Sequence, residues 1–296
     1  MARVKNVTFK NKVLPYFLLA PEVTLVLIFF IWPAAQALLQ SLYREDPFGI
    51  TRTYVGLDNF RRAVTEQLYV RSIRTTLYFA ITVALSTMGL ALFLASLANG
   101  IGKKALAYQT IIISPYAVAP LVSGVLWFFL FSPAVGLLSY GVRTVFGVTW
   151  NHTVIPGQAF FLVVLAASWQ RIAYNFLFYL GGMQHIPDSL IESAAIDGAT
   201  PIVRFWKIIF PLLSPTTFFL LIMNFIYTFF ETFPVIHQLT QGGPSNATST
   251  MVYRIFRDGF RGLDFGGSAA QSVVLMAFVI SFVALQFRFV ERKVYY

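Results

Sequence analysis

The sequence predicts an all-α polytopic membrane protein with six transmembrane helices. Of its 296 residues, 57% are hydrophobic and only 11% are charged, whereas a soluble domain carries roughly 25% charged residues to solvate its surface. The mean hydropathy is +0.69. Six apolar stretches are each long enough to cross a bilayer, since a helical span needs about 20 apolar residues. Lipid is therefore the solvent for most of this chain.

Helix is the expected form of these stretches, because every backbone amide in lipid must be hydrogen-bonded within its own segment. Three runs, Thr75–Ala98, Ile208–Phe230 and Phe265–Phe287, contain no Asp, Glu, Lys or Arg. The short alternating pattern of β-barrel strands is not seen in the sequence. The predicted spans are Leu14–Leu42, Ser72–Leu97, Leu106–Phe131, Phe160–Leu180, Ile209–Phe233 and Ala269–Phe287.

The first stretch begins like a secretory signal peptide, with a basic start and an Ala35-Gln36-Ala37 triplet that imitates a cleavage site. Its apolar run from Leu14 to Trp32, however, is longer than a signal-peptide core and continues past Pro33. We therefore expect a retained first helix.

Basic residues set the predicted orientation. Of the 22 Lys and Arg residues, eleven fall in the predicted inside segments, ten in the outside loops, and Arg171 lies within a span. The totals barely differ, but four of the eleven lie in the first 13 positions, beside the first helix. Because positive charge next to the first helix dominates orientation, both termini are expected in the cytoplasm.

Several classes of function are disfavoured. Without cysteine, the chain has no disulfide framework, thiol nucleophile or thiolate metal site. The net charge of +10 is scattered along the chain, which indicates lipid headgroup contacts instead of nucleic-acid binding. His152, His185 and His237 lie on different loops, so no catalytic cluster is expected. Gly100–Lys104 lacks the Ser or Thr of a phosphate-binding loop.

The loop between the fourth and fifth spans, Gln184–Pro211, is rich in helix start and stop signals. Ser189 and Glu192 fit a capping box at the start of a short helix. Gly198 is a natural left-handed stop about two turns later. These signals predict a short helix that ends at a glycine corner.

A second short helix is predicted directly after this corner. Thr200 can cap it, with Pro201 at its first position, and Pro211 interrupts it as the fifth span begins. Ala194 and Ala195 keep one side of the preceding helix small enough for another protein to approach closely. The pattern is that of a docking element or of an ordinary interfacial hairpin.

The run Glu192-Ser193-Ala194-Ala195-Ile196-Asp197-Gly198, followed by Ile208-Ile209-Phe210-Pro211, resembles the EAA loop of ABC importer permeases. Ser193 and Phe210 replace the usual Ala and Leu, while the spacing is kept. The resemblance implies a type I ABC importer transmembrane fold, in which this coupling loop, residues 184–211, docks into a cleft on an ATPase subunit. The candidate coupling residues are Glu192, Ser193, Ala194, Ala195, Asp197, Gly198, Ile208 and Pro211.

Other segments resemble the carbohydrate-type members of this family. Tyr54–Phe60 is similar to their external segment after the first span, and Leu239–Pro244 to their last external loop. Four further runs resemble the permeases of sn-glycerol-3-phosphate importers, a subgroup of the family. They are Phe30–Pro33, Asp46–Gly49, Pro115–Pro120 and Ser268–Val274.

The resemblance implies partners and a domain organisation. The partners are a second homologous permease subunit, a dimer of ABC ATPase subunits that bind ATP and Mg, and an external solute-binding protein; no cofactor is expected in this chain itself. Residues 1–71 would hold the cytoplasmic N-terminus, the first helix and an external segment. Residues 72–289 would form the transmembrane domain, and residues 290–296 a cytoplasmic tail, in the bacterial inner membrane.

The transported solute follows less directly. Positive external loops suit an anion such as sn-glycerol-3-phosphate or a glycerophosphodiester. A sugar or oligosaccharide permease of the same family remains an alternative. A secondary transporter is disfavoured because no internal repeat is evident and because such carriers do not need an EAA loop.

Two polar stripes on predicted spans are candidates for the translocation pathway, because polar groups in a bilayer face protein or water. The alternative is hydrogen bonding between helices of the two permease subunits. For Arg171 on the fourth span, three roles stay open: an ion pair with Glu22, snorkelling, and binding of a phosphate in transit. By depth, it lies too far from Glu231 for a direct pair. The candidate pathway residues are Arg171, Tyr174 and Asn175 on span four, and Asn224, Tyr227 and Glu231 on span five.

Overall fold

Helices account for most of the described chain, which comprises residues 13–46, 50–101 and 106–289 of a computed structural model. The basic N-terminal residues and the expected tail, 290–296, lie outside the described residues. The first helix, α1 (Leu14–Val26), continues through a π-helical turn (Leu27–Ile31) into α2 (Trp32–Gln40). None of its residues is buried, so this span lies at the edge of the chain.

A β-hairpin follows the first span and was not predicted. Strands β1 (Tyr43–Glu45) and β2 (Arg52–Tyr54) pair antiparallel, with Tyr43 opposite Tyr54. The short helix α3 (Asp58–Thr65) comes next. Its buried Asn59 ties the segment together, because the side-chain amide donates to the carbonyl oxygens of Ser41 and Tyr43 at 2.9 and 2.8 Å.

The centre of the fold is the packing of α4 (Gln67–Ile101) against α8 (Pro156–Gln184). Small buried residues line the contact, which lets two helices approach closely in lipid. One hydrogen bond, 2.9 Å long, joins the hydroxyls of Ser86 and Ser168 across it. Ala91, Ala95 and Ala98 on α4 pack in one buried cluster with Phe176, Tyr179, Leu180 and Met183 on α8.

The third predicted span, Leu106–Phe131, is not one continuous helix. It consists of α5 (Leu106–Ile113), a 3-10 turn (Ser114–Ala117) and α6 (Pro120–Leu130), and its two halves are bent by 100°. Pro120 is the cause, because a proline ring pushes the preceding residue out of the helical region. Ala119 is accordingly extended, at φ −60° and ψ 140°.

Three shorter helices lie in the segments that connect the spans. Helix α7 (Leu137–Phe146) precedes α8, and α13 (Phe233–Leu239) and α14 (Met251–Phe256) precede the last helix, α15 (Phe265–Phe289). Helix α13 packs beside α6. Helices α7, α13 and α14 lie at the end opposite the coupling loop, because the coupling loop joins the other ends of α8 and of the fifth span.

The fifth predicted span, Ile209–Phe233, is also bent. Its first part comprises α10 (Pro201–Arg204), a π-helical turn and α11 (Phe210–Leu212); its second comprises α12 (Ser214–Ile226) and the turn Tyr227–Glu231. The parts meet at 66°. Within the described residues, four straight helices and two bent pairs qualify as spans, six when each pair counts once. The six-span prediction is confirmed.

The last helix holds the first span and the hairpin in place. It packs against α2, α3 and β1. A Cβ added to Gly266 would lie 2.0 Å from the Tyr43 carbonyl oxygen, so glycine alone permits this approach. The hydroxyl of the fully buried Tyr69 on α4 donates to the Gln271 carbonyl oxygen at 2.9 Å. The segment between the first span and α4 is thus fixed to the core.

Candidate functional site: the coupling loop and a polar centre

The first helix of the coupling loop, α9 (Asp188–Ile196), begins two residues before the sequence predicts. Pro187 is its N-cap residue, at φ −60° and ψ 128°, and no side chain caps the helix. The predicted capping box of Ser189 and Glu192 is therefore wrong. Pro187 already supplies the extended entry into the helix, and the Asp188 carboxylate in the first turn suits the positive end of the helix dipole.

The end of α9 is a Schellman motif at Gly198. Gly198 has φ +82°, and its N–H donates to the Ala195 carbonyl oxygen at 3.0 Å. The next N–H, of Ala199, donates to the Ala194 carbonyl oxygen at 2.9 Å. These two bonds satisfy carbonyls that the helix end would leave free. The predicted left-handed stop is confirmed.

The second helix restarts as the sequence predicts. The Thr200 hydroxyl accepts a hydrogen bond from the Val203 N–H at 3.4 Å, and Pro201 occupies the first turn. The Arg204 guanidinium reaches back to the Ile191 carbonyl oxygen at 3.5 Å and so joins the two helices. The interruption expected at Pro211 falls two residues later, at Leu213, where α11 ends and α12 starts.

Most of the predicted coupling residues are exposed on the surface of the chain. Neither α9 nor α10 nor α11 buries a residue in the single chain. Large apolar side chains on α9, on α10 and on the π-helical turn Phe205–Ile209 are exposed, with Ile196 87%, Ile202 73% and Trp206 57% exposed. Several large exposed apolar residues in one short segment are typical of protein interaction surfaces. Glu192, Ser193, Ala195, Asp197 and Gly198 are exposed, and Ala194, Ile208 and Pro211 are half-buried.

The polar centre lies where α8 crosses α12. Asn175 and Asn224 are fully buried, and each amide nitrogen donates to the other's oxygen, at 3.1 and 2.7 Å. The Thr87 hydroxyl on α4 donates to the Asn224 oxygen at 3.5 Å. Tyr227 is also buried, with its hydroxyl on the Ala167 carbonyl oxygen at 3.2 Å. In this conformation the candidate pathway residues Asn175, Asn224 and Tyr227 therefore form hydrogen bonds between helices of the same chain.

Replacing Asn224 by leucine is expected to lower thermal stability, by roughly 1–2 kcal/mol, because the buried Asn175 amide loses its partner. Heat-induced loss of the monodisperse, detergent-solubilised protein measures the effect. The double variant Asn175→Leu/Asn224→Leu is expected to cost less than the sum of the two single variants, since no amide is then left unpaired. Strictly additive losses would contradict the pairing.

Arg171 is buried, with 6% of its surface exposed. It donates to the Met223 carbonyl oxygen at 3.0 Å. Its guanidinium carbon lies 4.0 Å from the centre of the Tyr174 ring and 4.7 Å from that of Tyr227, so both aromatic faces stabilise the cation. Its Nε has no hydrogen-bond partner among the described residues. The arginine therefore keeps unused donor capacity.

The ion pair with Glu22, one of the three roles that the sequence left open for Arg171, is not formed in this structure. Within the described residues Arg171 takes part in no ion pair. Glu22 lies exposed on α1, at the edge of the chain. Glu231 also forms no ion pair with Arg171 among the described residues, as expected from the sequence.

The sequence prediction missed Tyr116. This tyrosine lies in the 3-10 turn that breaks the third span, stacks on Tyr174 at 6.3 Å between ring centres, and is 57% exposed. A signal was present, since Pro115 and Pro120 flank it. Irregular backbone at membrane depth is tolerated where it faces protein or a water-filled cavity. The break thus places a tyrosine beside the arginine.

Comparisons with known proteins agree with this geometry. Residues 87–295 match the family model described as "Binding-protein-dependent transport system inner membrane component". The sn-glycerol-3-phosphate transport system permease protein UgpA of Agrobacterium fabrum is 52% identical over 293 residues, which cover 99% of this chain and 100% of the relative. The protein of that name from Pectobacterium atrosepticum is 51% identical over 288 residues, or 97% of each chain.

Solved structures share the fold. A chain of a bacterial ABC transporter involved in the import of the acidic polysaccharide alginate matches with a TM-score of 0.82 at 22% identity, over 94% of this chain and 95% of that one. The inward-facing MetNI methionine ABC transporter matches at 0.55 and 16%, over 77% and 97%. The type I importer fold that the EAA loop implied is confirmed. With most of its length matched by the family model and near-complete relatives above 50% identity, the chain belongs to the inner-membrane components of binding-protein-dependent transport systems.

Proposed function

We propose that this chain is a membrane-spanning permease subunit of an ATP-driven importer for sn-glycerol-3-phosphate and related glycerophosphodiesters. The assignment of the solute rests on the 52% identity, over nearly the whole chain, with permeases of sn-glycerol-3-phosphate transport systems. The chain would supply one half of the pathway, and a second homologous permease would supply the other. A solute-binding protein would deliver the solute to the end opposite the coupling loop.

The coupling loop would dock on a dimer of ATPase subunits, which bind ATP and Mg. Its exposed residues from Glu192 to Gly198 and the apolar Ile196, Ile202 and Trp206 favour a protein partner. ATP would draw the two ATPase subunits together and move both helices of the loop as one unit, because Arg204 ties them. Binding of ATP then favours one of two helix packings, which is alternating access. Both termini would be cytoplasmic.

Arg171 would bind the phosphate group in transit. A guanidinium offers several N–H donors in a fixed plane that matches phosphate oxygens. The tyrosine faces hold the cation without neutralising it, so its charge remains available to an anion. Tyr116 and Tyr174 would add hydroxyls and ring faces for the glycerol part. Glu231, exposed on α12's continuation, would oppose excessively tight anion binding and so favour release.

Transport by a reconstituted complex tests this proposal. Proteoliposomes that contain the chain, its co-purifying subunits and the binding protein should accumulate radiolabelled sn-glycerol-3-phosphate when ATP is supplied to the coupling-loop side. Unlabelled sn-glycerol-3-phosphate should compete, and maltose should not. Accumulation of a neutral sugar with no effect of sn-glycerol-3-phosphate would contradict the solute assignment while leaving the importer assignment intact.

The chain alone is expected neither to bind nor to hydrolyse ATP, because its sequence lacks a loop of backbone amides that could cradle phosphates. Purified by itself, it should show no phosphate release above a protein-free blank. Added ATPase subunits should restore hydrolysis. ATP turnover in a preparation proven free of other chains would contradict the assignment of ATP hydrolysis to separate ATPase subunits.

A further inference from the structure

An open cavity of about 830 Å³ lies at the end opposite the coupling loop. It is formed where α4 begins, beside the start of α8 and a residue of the loop before α14. Arg71 and Arg74 line it, together with Gln67 and Thr75, while Tyr78 and Phe160 form an aromatic floor with ring centres 5.1 Å apart. Two cationic side chains and an aromatic surface therefore line the same cavity.

Neither arginine has a partner in the described part of the chain. Arg71 and Arg74 are exposed, one helical turn apart, and their side chains take part in no ion pair or hydrogen bond there. Like charges at this spacing repel each other. The carboxylates of this end pair elsewhere: Asp58 with Arg44, Glu66 and Asp258 with Arg254, and Asp264 with Arg62. Two positive charges therefore remain for an anion from outside the chain.

The position along α4 identifies where this anion lies. Directly after Arg74 the charge-free run Thr75–Ala98 begins, and its length of roughly 36 Å as a helix is enough to cross the hydrocarbon core of a bilayer, about 30 Å thick. Arg71 and Arg74 consequently lie at the depth of lipid headgroups. Phospholipid phosphates are the most abundant anions at that depth, and arginine binds them bidentately.

The same face of α4 continues as an exposed apolar stripe. Tyr78, Ile81 and Leu85 follow the arginines at alternating intervals of four and three residues, which places all five side chains on one helix face. Their exposed fractions are 65%, 48% and 70%. An acyl chain could lie along this stripe while its headgroup meets the arginines. The pattern fits a lipid better than a free anion, which would not need the stripe.

We propose that Arg71 and Arg74 bind the phosphate of an anionic phospholipid in the leaflet opposite the coupling loop, with an acyl chain along Tyr78, Ile81 and Leu85. The bound lipid compensates the two charges and holds the start of α4, which is the helix most extensively packed against α8. The proposal does not depend on which solute is transported.

Native mass spectrometry of the full chain, with the subunits that co-purify with it, tests the site. Phosphatidylglycerol is expected to bind more tightly than phosphatidylcholine. Arg71→Gln/Arg74→Gln should weaken phosphatidylglycerol binding roughly thirtyfold, since each arginine near an anionic surface contributes about fivefold. Arg71→Lys/Arg74→Lys should retain most of the binding. The charge-matched control Arg143→Gln/Arg261→Gln, at the same end but outside the cavity, should bind like the wild type.

Two further readouts separate the lipid from other occupants. Because the chain has no cysteine, a nitroxide on Ile81→Cys reports its surroundings, and frequent collisions with oxygen are expected for a lipid-facing site. Low oxygen access in the assembled complex would mean that a subunit covers the stripe and would overturn the proposal. So would equal binding of the two lipids, or displacement of bound phosphatidylglycerol by millimolar inorganic phosphate or sn-glycerol-3-phosphate, which would identify a solute site.

Discussion

Gly198→Val is expected to separate ATP hydrolysis from solute import, with the amount of solute imported per ATP falling roughly tenfold or more. Gly198 adopts φ +82°, and a side chain in this left-handed region costs about 1–2 kcal/mol, more when it is β-branched. A Cβ at this position meets no atom of the chain within 4 Å. The effect of valine would therefore arise from the backbone, because the Schellman motif must open and the corner between α9 and α10 must be rebuilt.

Paired measurements of hydrolysis and uptake in proteoliposomes test this expectation. Gly198→Asn is the matched variant, since asparagine tolerates the left-handed region and should retain most coupling. Glu192→Ala should have a smaller effect than Gly198→Val, because it removes one exposed carboxylate and leaves the corner intact. If the valine variant assembles and imports at the wild-type rate, the loop is not the docking element.

The coupling loop was largely predictable because local chemistry decides its shape. Gly198, Thr200 and Pro201 act through their own backbone or through a neighbour three residues away, and each did what its residue type favours. Ser189 is the exception. It competed with Pro187 for the N-cap position, and the fixed extended geometry before the helix favoured the proline. Adjacent start signals cannot be ranked from residue types alone.

The number of spans was predictable from apolar length, but their straightness was not. Pro115 and Pro120 lie in an apolar run that is as long as an unbroken helix, and hydropathy does not distinguish a kink from a 100° break. Proline in a membrane helix is tolerated when neighbouring groups satisfy the freed backbone. Here the Gln170 side chain on α8 donates to the Val118 carbonyl oxygen at 2.6 Å, a contact that only the fold reveals.

Four residues of the polar stripes, Arg171, Asn175, Asn224 and Tyr227, are buried, whereas Tyr174 is half-buried and Glu231 is exposed. The hydrogen-bond partners of the buried ones depended on tertiary packing. Asn175 and Asn224 belong to different helices and satisfy each other within one chain, where sequence alone left pathway lining and contacts between subunits open. Depth counting excluded a direct Arg171–Glu231 pair. The same counting allowed Arg171–Glu22, because depth contains no information about which helices are neighbours.

Arg171→Met is expected to abolish import of a phosphorylated solute while the complex stays folded. A charge-assisted bond between guanidinium and phosphate is worth about 1.5–3 kcal/mol, which corresponds to a roughly 10- to 150-fold loss in solute affinity. Stability should change little. The Met223 carbonyl oxygen, which accepts from Arg171, also accepts from the Tyr227 N–H and so keeps a partner. The side chain introduced by Arg171→Met can in turn pack against the rings of Tyr174 and Tyr227.

Three measurements on the same preparations distinguish the possible roles of this arginine. Uptake of sn-glycerol-3-phosphate should be lost in Arg171→Met and partly retained in Arg171→Lys, since lysine keeps the charge but not the planar set of donors. ATP hydrolysis stimulated by the solute-free binding protein should remain near the wild-type rate in both variants. Glu22→Gln, on the exposed edge helix, should change neither quantity. Loss of thermal stability with normal uptake by the surviving complexes would assign Arg171 to packing of α8 against α12 and would remove it from the pathway.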